Sequence, residues 1–401
     1  MLKPLMPKLA AAALLLLFSA CGGGGGSSSS STTSPSLPPT STAGATGSGD
    51  SGQQANTTVD AYVQSQLLAQ SIPGLALVVL RNDQVIYAKG YGYANVEQAI
   101  PASTAQRFQI GSITKQFTAA AVMLLVEDGK MALDDKISKY LGTVPTEWEP
   151  ITVRQILTHT AGFQQDVDNS VYQQADTHGA YTSDQMLAVL ETYKPQTTPG
   201  ATYAYSNLGY ELMGIIIEKA SGMFFGDLIQ NRIFAPLGMS SARMIGFGDQ
   251  SGTAMGYVMQ NSHPAPLPMT AVTPGGQSWY LTGAGGIQMS ADDLAKWDAS
   301  LSTEKVLKKS SWDQILAPGA LVQVGEGYTI HYGLGWFLSD YNGHPKIYHS
   351  GGMPSFTTDY LHYTNYKLSV IVLTNLGTQW ADAETISRTI ANMYVPGLLP
   401  Q

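Results

Sequence analysis

Strand-like segments gather at the two ends of this chain's folding region and are scarce between them, a distribution that few architectures satisfy. Leu75 to Leu80 and Val85 to Gly90 are apolar, β-rich runs around Arg81-Asn82-Asp83-Gln84, the pattern of a hairpin. Gly111 to Pro318 is mostly helical in pattern, punctuated by Gly, Pro and long loops. Strands return as Gly335 to Ser339 and Lys346 to His349 on either side of Asn342-Gly343, a strong hairpin turn. Ser355 to Tyr363 and Lys367 to Thr374 follow, and Ala381 to Val395 reads as a closing helix. Thr57 and Thr58 are placed to cap an opening helix that runs to about Gln70. Short connections imply an antiparallel sheet of five or more strands flanked by the terminal helices, with a helical subdomain over about 111–320 inserted beside it. The expected fold class is thus mixed α/β, of the α+β kind, and a ligand pocket is expected where the two subdomains meet.

Residues 57–401 carry all of this pattern, and what precedes them reads differently. Lys3 and Lys8 lead into an unbroken apolar run, Leu9 to Phe18, and then Ser19-Ala20-Cys21. The run is far shorter than the ~20 residues a transmembrane helix needs and has the layout of an export signal. Small residues before the chain's sole cysteine resemble a lipoprotein processing site, which makes residues 1–21 a signal peptide and Cys21 the lipidated residue. The expected location is the cell envelope, with the membrane reached through that anchor. Gly22 to Gly26, a Ser/Thr run and a Pro/Gly/Ser stretch to Asn56 have the composition of a flexible tether over 22–56.

Charge removes other functions. The net charge is −8, charged residues make up 12% of the chain, and no basic block occurs that would neutralise a phosphate backbone, so nucleic acid is not an expected partner. The glycine run has no Lys-Ser/Thr after it on a helix, so it is no phosphate loop. There is no His-Glu-x-x-His and no Cys/His cluster, and neither a metal nor a cofactor is expected.

Chemistry enters at Phe108-Gln109-Ile110-Gly111-Ser112-Ile113-Thr114-Lys115, which opens a helix to about Glu127. Ile113, Phe117, Ala120, Ala121 and Leu124 share its core face, and Ser112 and Lys115, three apart, share the neighbouring one. A hydroxyl needs a base to become a useful nucleophile, and a desolvated lysine loses enough basicity to be one. The spacing alone is weak: Ser302-Thr303-Glu304-Lys305 repeats it in what reads as solvated surface. Two further motifs give it weight. Tyr205-Ser206-Asn207 precedes the apolar helix Leu208 to Ala220, and His349-Ser350-Gly351-Gly352 ends a strand.

Ser-x-x-Lys, Tyr-x-Asn and His-x-Gly in this order resemble the serine β-lactamase and DD-peptidase superfamily, nearest the branch of class C β-lactamases, D-alanyl-D-alanine carboxypeptidases and related esterases. The segments Leu157 to Phe163, Pro236-Leu237-Gly238-Met239 and Ala284-Gly285-Gly286 resemble the same branch and read as scaffold, with His159 a packed, hydrogen-bonded histidine and Ser290 a helix cap. Tyr93-Ala94-Asn95, Tyr363-Thr364-Asn365 and His331-Tyr332-Gly333 match the short motifs out of context and are read as ordinary strand and loop residues.

The resemblance implies a β-lactamase/transpeptidase-like fold and acyl transfer through an ester on Ser112. It leaves two bases open: neutral Lys115, or Tyr205 as a phenolate beside charged Lys115. It assigns substrate contacts to Asn207, His349, Gly351 and Gly352, and an oxyanion hole to the N–H groups of Ser112 and Gly352. His349 stands where many β-lactamases carry lysine, so it implies a weaker hold on a substrate carboxylate. The expected substrates are esters, D-amino-acid peptides or peptidoglycan stems. A β-lactamase and a catalytically idle envelope protein that binds stem peptides are the alternatives. Tyr257, Trp279, Tyr280 and Trp336 are candidates to line the cleft or to fill core, and the loops Gln164 to Tyr181 and Gly246 to Trp279 would set specificity.

Overall fold

The computed structural model describes residues 50–168, 182–246, 249–267 and 282–399; Cys21, Trp279 and Tyr280 lie outside them. The chain begins with α1 (Asp50–Gln70), β1 (Gly74–Arg81), β2 (Gln84–Asn95) and β3 (Ile100–Pro101). A block follows that holds α2 (Thr114–Glu127), α3 (Asn207–Ser221) and α4 (Ala291–Ser300) among shorter helices. Six strands then come in succession: β4 (Ala320–Gly325), β5 (Tyr328–Tyr332), β6 (Phe337–Tyr341), β7 (His344–Met353), β8 (Phe356–Tyr363) and β9 (Leu368–Thr374). The last helix is α5 (Ala383–Tyr394).

All nine strands join one sheet in the order β3-β2-β1-β9-β8-β7-β6-β5-β4, every pair antiparallel. The two ends of the chain therefore meet in mid-sheet, Val78 opposite Ile371. Central strands must bury both faces, which is why β1 and β9 are apolar along most of their length, with Ser369 buried within β9. Leu75, Leu77 and Val79 join Val370 and Val372 in a core beneath the terminal helices. Ala76, Val78 and Leu80 join Ile371 and Leu373 in the core shared with the inserted block. α1 contributes Val59, Val63 and Leu67 at helical spacing to the first core, each side chain worth about 1.5–3 kcal/mol on burial.

The structure corrects or adds to these expectations in three places. The helix α1 opens at Asp50, taking in residues assigned to the tether and placing Thr57 and Thr58 inside the helix instead of at its cap; Gln53, Gln54 and Ala55 are good helix formers that extend it backward. Ala320 to Tyr332, which carries no expected element between the helical block and the strand at Gly335, forms two strands; the edge strand β4 leaves Leu321 and Val324 exposed and so lacks a clear alternation. The inserted block is also not purely helical. Phe108–Gln109, Ile287–Met289 and Arg243–Met244 form a small antiparallel sheet, and Ile110 N–H donates to the Ile287 carbonyl at 3.0 Å. That sheet braces the turn bearing Ser112.

Candidate active site

Ser112 sits in a single 3₁₀ turn, Gly111–Ile113, that runs directly into α2. Ile113, Phe117, Ala120, Ala121 and Leu124 anchor this stretch in the core, as their periodicity predicts. The serine itself is half-buried. Gly111 has φ +52°, and a Cβ there would lie 2.8 Å from Gly352 N. Gly351 is equally confined: its Cβ would stand 1.9 Å from the Ile110 carbonyl oxygen. No side chain fits at either position, so β7 lies flush against the turn bearing Ser112. The Thr358 hydroxyl on β8 donates to the Ile110 carbonyl at 3.0 Å, locking the same approach. Gly352 is exposed beside Ser112's turn.

Lys115 follows one helical turn later and is completely buried. Its Nζ donates to Ser112 Oγ at 3.0 Å, to Asn207 Oδ1 at 2.7 Å and to the Ala284 carbonyl at 2.8 Å. The rings of Tyr205 and Tyr210 cover it at 4.9 and 5.4 Å. Burial pushes the amine down to about 7, opposed by the carboxylates of Asp166 and Glu211. A lysine so placed is half neutral near pH 7 and hydrogen-bonded to a hydroxyl.

The Tyr205–Asn207 stretch is aimed by His159. That residue is buried at φ +57°, and its Nδ1 accepts the Ser206 N–H at 3.0 Å while its ring lies 4.2 Å from that of Tyr205. Ser206 caps α3, its Oγ accepting from Gly209 N–H at 3.0 Å and donating to the Gln164 carbonyl at 2.6 Å. Tyr205 thus projects from the residue before the cap, half-buried, and its phenol hydrogen-bonds Ser112. Burial raises the phenol well above its ordinary value, with the Ser112 hydrogen bond acting against it. Asn207 uses both ends of its amide: Oδ1 takes the Lys115 ammonium, and Nδ2 donates to Asp166 Oδ1 at 2.7 Å. Asp166 is itself raised by burial.

His349 has a different setting from the one its motif suggests. It is buried, with Nδ1 2.7 Å from the Ser350 carbonyl and Nε2 2.9 Å from the Tyr332 hydroxyl. A carbonyl only accepts, so Nδ1 carries the proton and Nε2 accepts from Tyr332. Burial, then the Lys115 charge, takes the imidazole down to about 3. It is neutral with both nitrogens engaged, and offers no cation to a substrate carboxylate.

Lys115 therefore hydrogen-bonds both Ser112 and Asn207 and Tyr205 hydrogen-bonds Ser112, Gly351 and Gly352 border them, and His349 lies just behind. Tyr257 and Trp336 are fully buried and line no cleft. Ser290 caps α4 by accepting Asp293 N–H at 3.1 Å. Sequence reading missed Tyr332, Asp166, Glu211 and the Ala284 carbonyl. Tyr332 lies within His331-Tyr332-Gly333, set aside as a stray match. Glu211 had a readable signal, a lone acid in the apolar run Leu208 to Ile217.

A family model described as Beta-lactamase matches residues 56–392. Penicillin-binding protein 4* of Bacillus subtilis is 30% identical over 302 residues, which is 73% of this chain and 65% of that protein. Protein flp of Staphylococcus aureus (strain N315) is 27% identical over 336 residues, 82% of this chain and 64% of that one. The chain thus spans just under two thirds of the length of these curated relatives. Among solved structures, the octameric penicillin-binding protein homologue from Pyrococcus abyssi superposes with a TM-score of 0.74 at 27% identity, over 85% of this chain and 77% of its own.

Proposed function

The chain belongs to the beta-lactamase family, and on that premise we propose that it is a serine hydrolase that cleaves esters of uncharged acyl groups through an acyl-enzyme on Ser112. The observation that carries the reading is the Lys115 amine, completely buried and 3.0 Å from Ser112 Oγ. With that amine down at about 7 and the Tyr205 phenol raised, Lys115 is the better base of the two left open by the sequence. Lys115 takes the hydroxyl proton as Ser112 Oγ bonds to the acyl carbon, and the charge on the carbonyl oxygen faces the N–H groups of Ser112 and Gly352. As the bond to the leaving alkoxide breaks, Tyr205 passes it a proton that Lys115 resupplies. Water then takes the alcohol's place, loses a proton along the same path, and frees the acid and Ser112.

The preference for uncharged acyl groups rests on His349. β-Lactams and stem peptides present a carboxylate, and the neutral, doubly bonded imidazole has no positive charge for it. Purified protein and Ser112→Ala would be incubated with p-nitrophenyl butyrate, nitrocefin and a D-alanyl-D-alanine peptide. Ester turnover with an acyl adduct on residue 112, absent in the variant, is the expected result. Faster turnover of nitrocefin or of the peptide would overturn the substrate preference, and no adduct from any of the three would overturn the hydrolase. Export and lipidation at Cys21 belong to the same proposal, and Cys21→Ser should move the protein out of the membrane fraction.

A further inference from the structure

Two acids flank Lys115, and they reach it by different routes. Asp166 does so through Asn207. Glu211, one helical turn beyond Asn207 on α3, is buried and faces a short turn, Thr282–Gly285. Its Oε1 accepts Thr282 N–H at 2.9 Å, and the nearby amides of Gly283 and Ala284 favour the ionised carboxylate. The carbonyls of this turn point the other way: that of Ala284 accepts from Lys115 Nζ at 2.8 Å, and that of Gly283 accepts from the Thr118 hydroxyl at 2.7 Å. The turn is so close to α3 that a Cβ on Gly283 would lie 2.3 Å from the Tyr210 carbonyl oxygen. Glu211 Oε2 has no hydrogen-bond partner among the described residues.

We propose that Glu211 is a positioning residue for the catalytic amine: it holds the Thr282–Gly285 turn so that the Ala284 carbonyl reaches Lys115, and in its ionised form it favours the ammonium there. The inference rests on Lys115 being the base. The groups facing the amine are the carboxylates of Asp166 and Glu211, the phenols of Tyr205 and Tyr210, and the imidazoles of His159 and His349, both kept neutral by burial. Burial raises Glu211 to about 8 while it lowers Lys115 to about 7, so amine and acid compete for protons across the same range. Such a pair titrates as a unit. Removing the carboxylate leaves an amine that holds its proton less tightly.

The test is an NMR titration of the Lys115 side chain in resting protein, with lysine ¹³Cε labels assigned through Lys115→Arg. The wild type should titrate over a broadened range, and Glu211→Gln should titrate in one step with a midpoint lower by about one pH unit. An unchanged curve in Glu211→Gln would overturn the proposal. If that variant does not fold, Glu211→Asp answers instead, because its carboxylate is one methylene short of the turn. It should displace the Lys115 midpoint and lower the pseudo-first-order rate of Ser112 labelling by a fluorophosphonate at least tenfold, and a wild-type curve and rate would overturn the proposal. The titration needs no substrate, so a protein that forms no acyl adduct would count against the proposed function while leaving this inference fully tested.

Discussion

At the head of α2 the Ser-x-x-Lys spacing lies against the core, with Lys115 sealed from solvent and its three donors taken by Ser112, Asn207 and the Ala284 carbonyl. Just past the end of α4 the same spacing lies in water. There the Ser302 hydroxyl donates to Asp83 Oδ2 at 2.9 Å and to the Ala299 carbonyl at 3.3 Å, and Ser302 and Lys305 are both exposed. Helical spacing can bring a hydroxyl and an amine together, but it does not desolvate them. An ammonium in water keeps its proton at neutral pH, and only burial makes it a base. What separates the two copies is the wall of rings and carbonyls around the first.

The sharpest way to break the comparison is to delete each hydroxyl. Ser112→Ala should lower ester turnover by about 10⁴-fold or more, whereas Ser302→Ala should leave the rate of p-nitrophenyl ester hydrolysis unchanged. Next come the amines. Lys115→Arg keeps the charge but cannot release a proton, and should cost about 10²–10⁴-fold in kcat; Lys305→Arg should match wild type in the same assay. The pH profile comes third. With Lys115 at about 7 and coupled to Glu211, its ammonium form gains as pH falls, so kcat/KM should fall on the acid side over a range broader than one group's titration and level off above it. A profile flat from pH 5 to 8 would mean that another group is the base. The smallest effect belongs to the wall itself. Tyr332→Phe strands His349 Nε2 without its donor and should cost about 1–3 kcal/mol of stability in denaturant unfolding, with Ser112 acylation within about threefold of wild type.

The legible parts of this protein were those written in short, contiguous stretches. β1 and β9 could be read because a strand buried on both faces must be largely apolar, and Ser112, Lys115, Tyr205 and Asn207 because each motif fixes local geometry beside a helix start. The environment of His349 could not be read: its second nitrogen is engaged by the hydroxyl of Tyr332, a residue on another strand. Asp166 sits in a loop with no periodicity to betray it. Glu211 was open to inference, since a carboxylate inside an apolar helix face needs a partner. β4 was hidden because an edge strand has no second neighbour to demand a pattern.

The pairing of β1 with β9 has a consequence for how the molecule comes into being. Leu75 and Thr374 are partners about 300 residues apart along the chain. Until the last strands have emerged from the ribosome, the first hairpin has no neighbour to cover it, and the strand bearing Gly352 has no finished sheet to belong to. Loop-closure entropy grows by only about 0.6 kcal/mol per doubling of length, so the delay is kinetic more than energetic. Assembly waits until β9 has been translated, and a nascent chain stopped short of that strand would hold its serine and lysine in an unformed pocket.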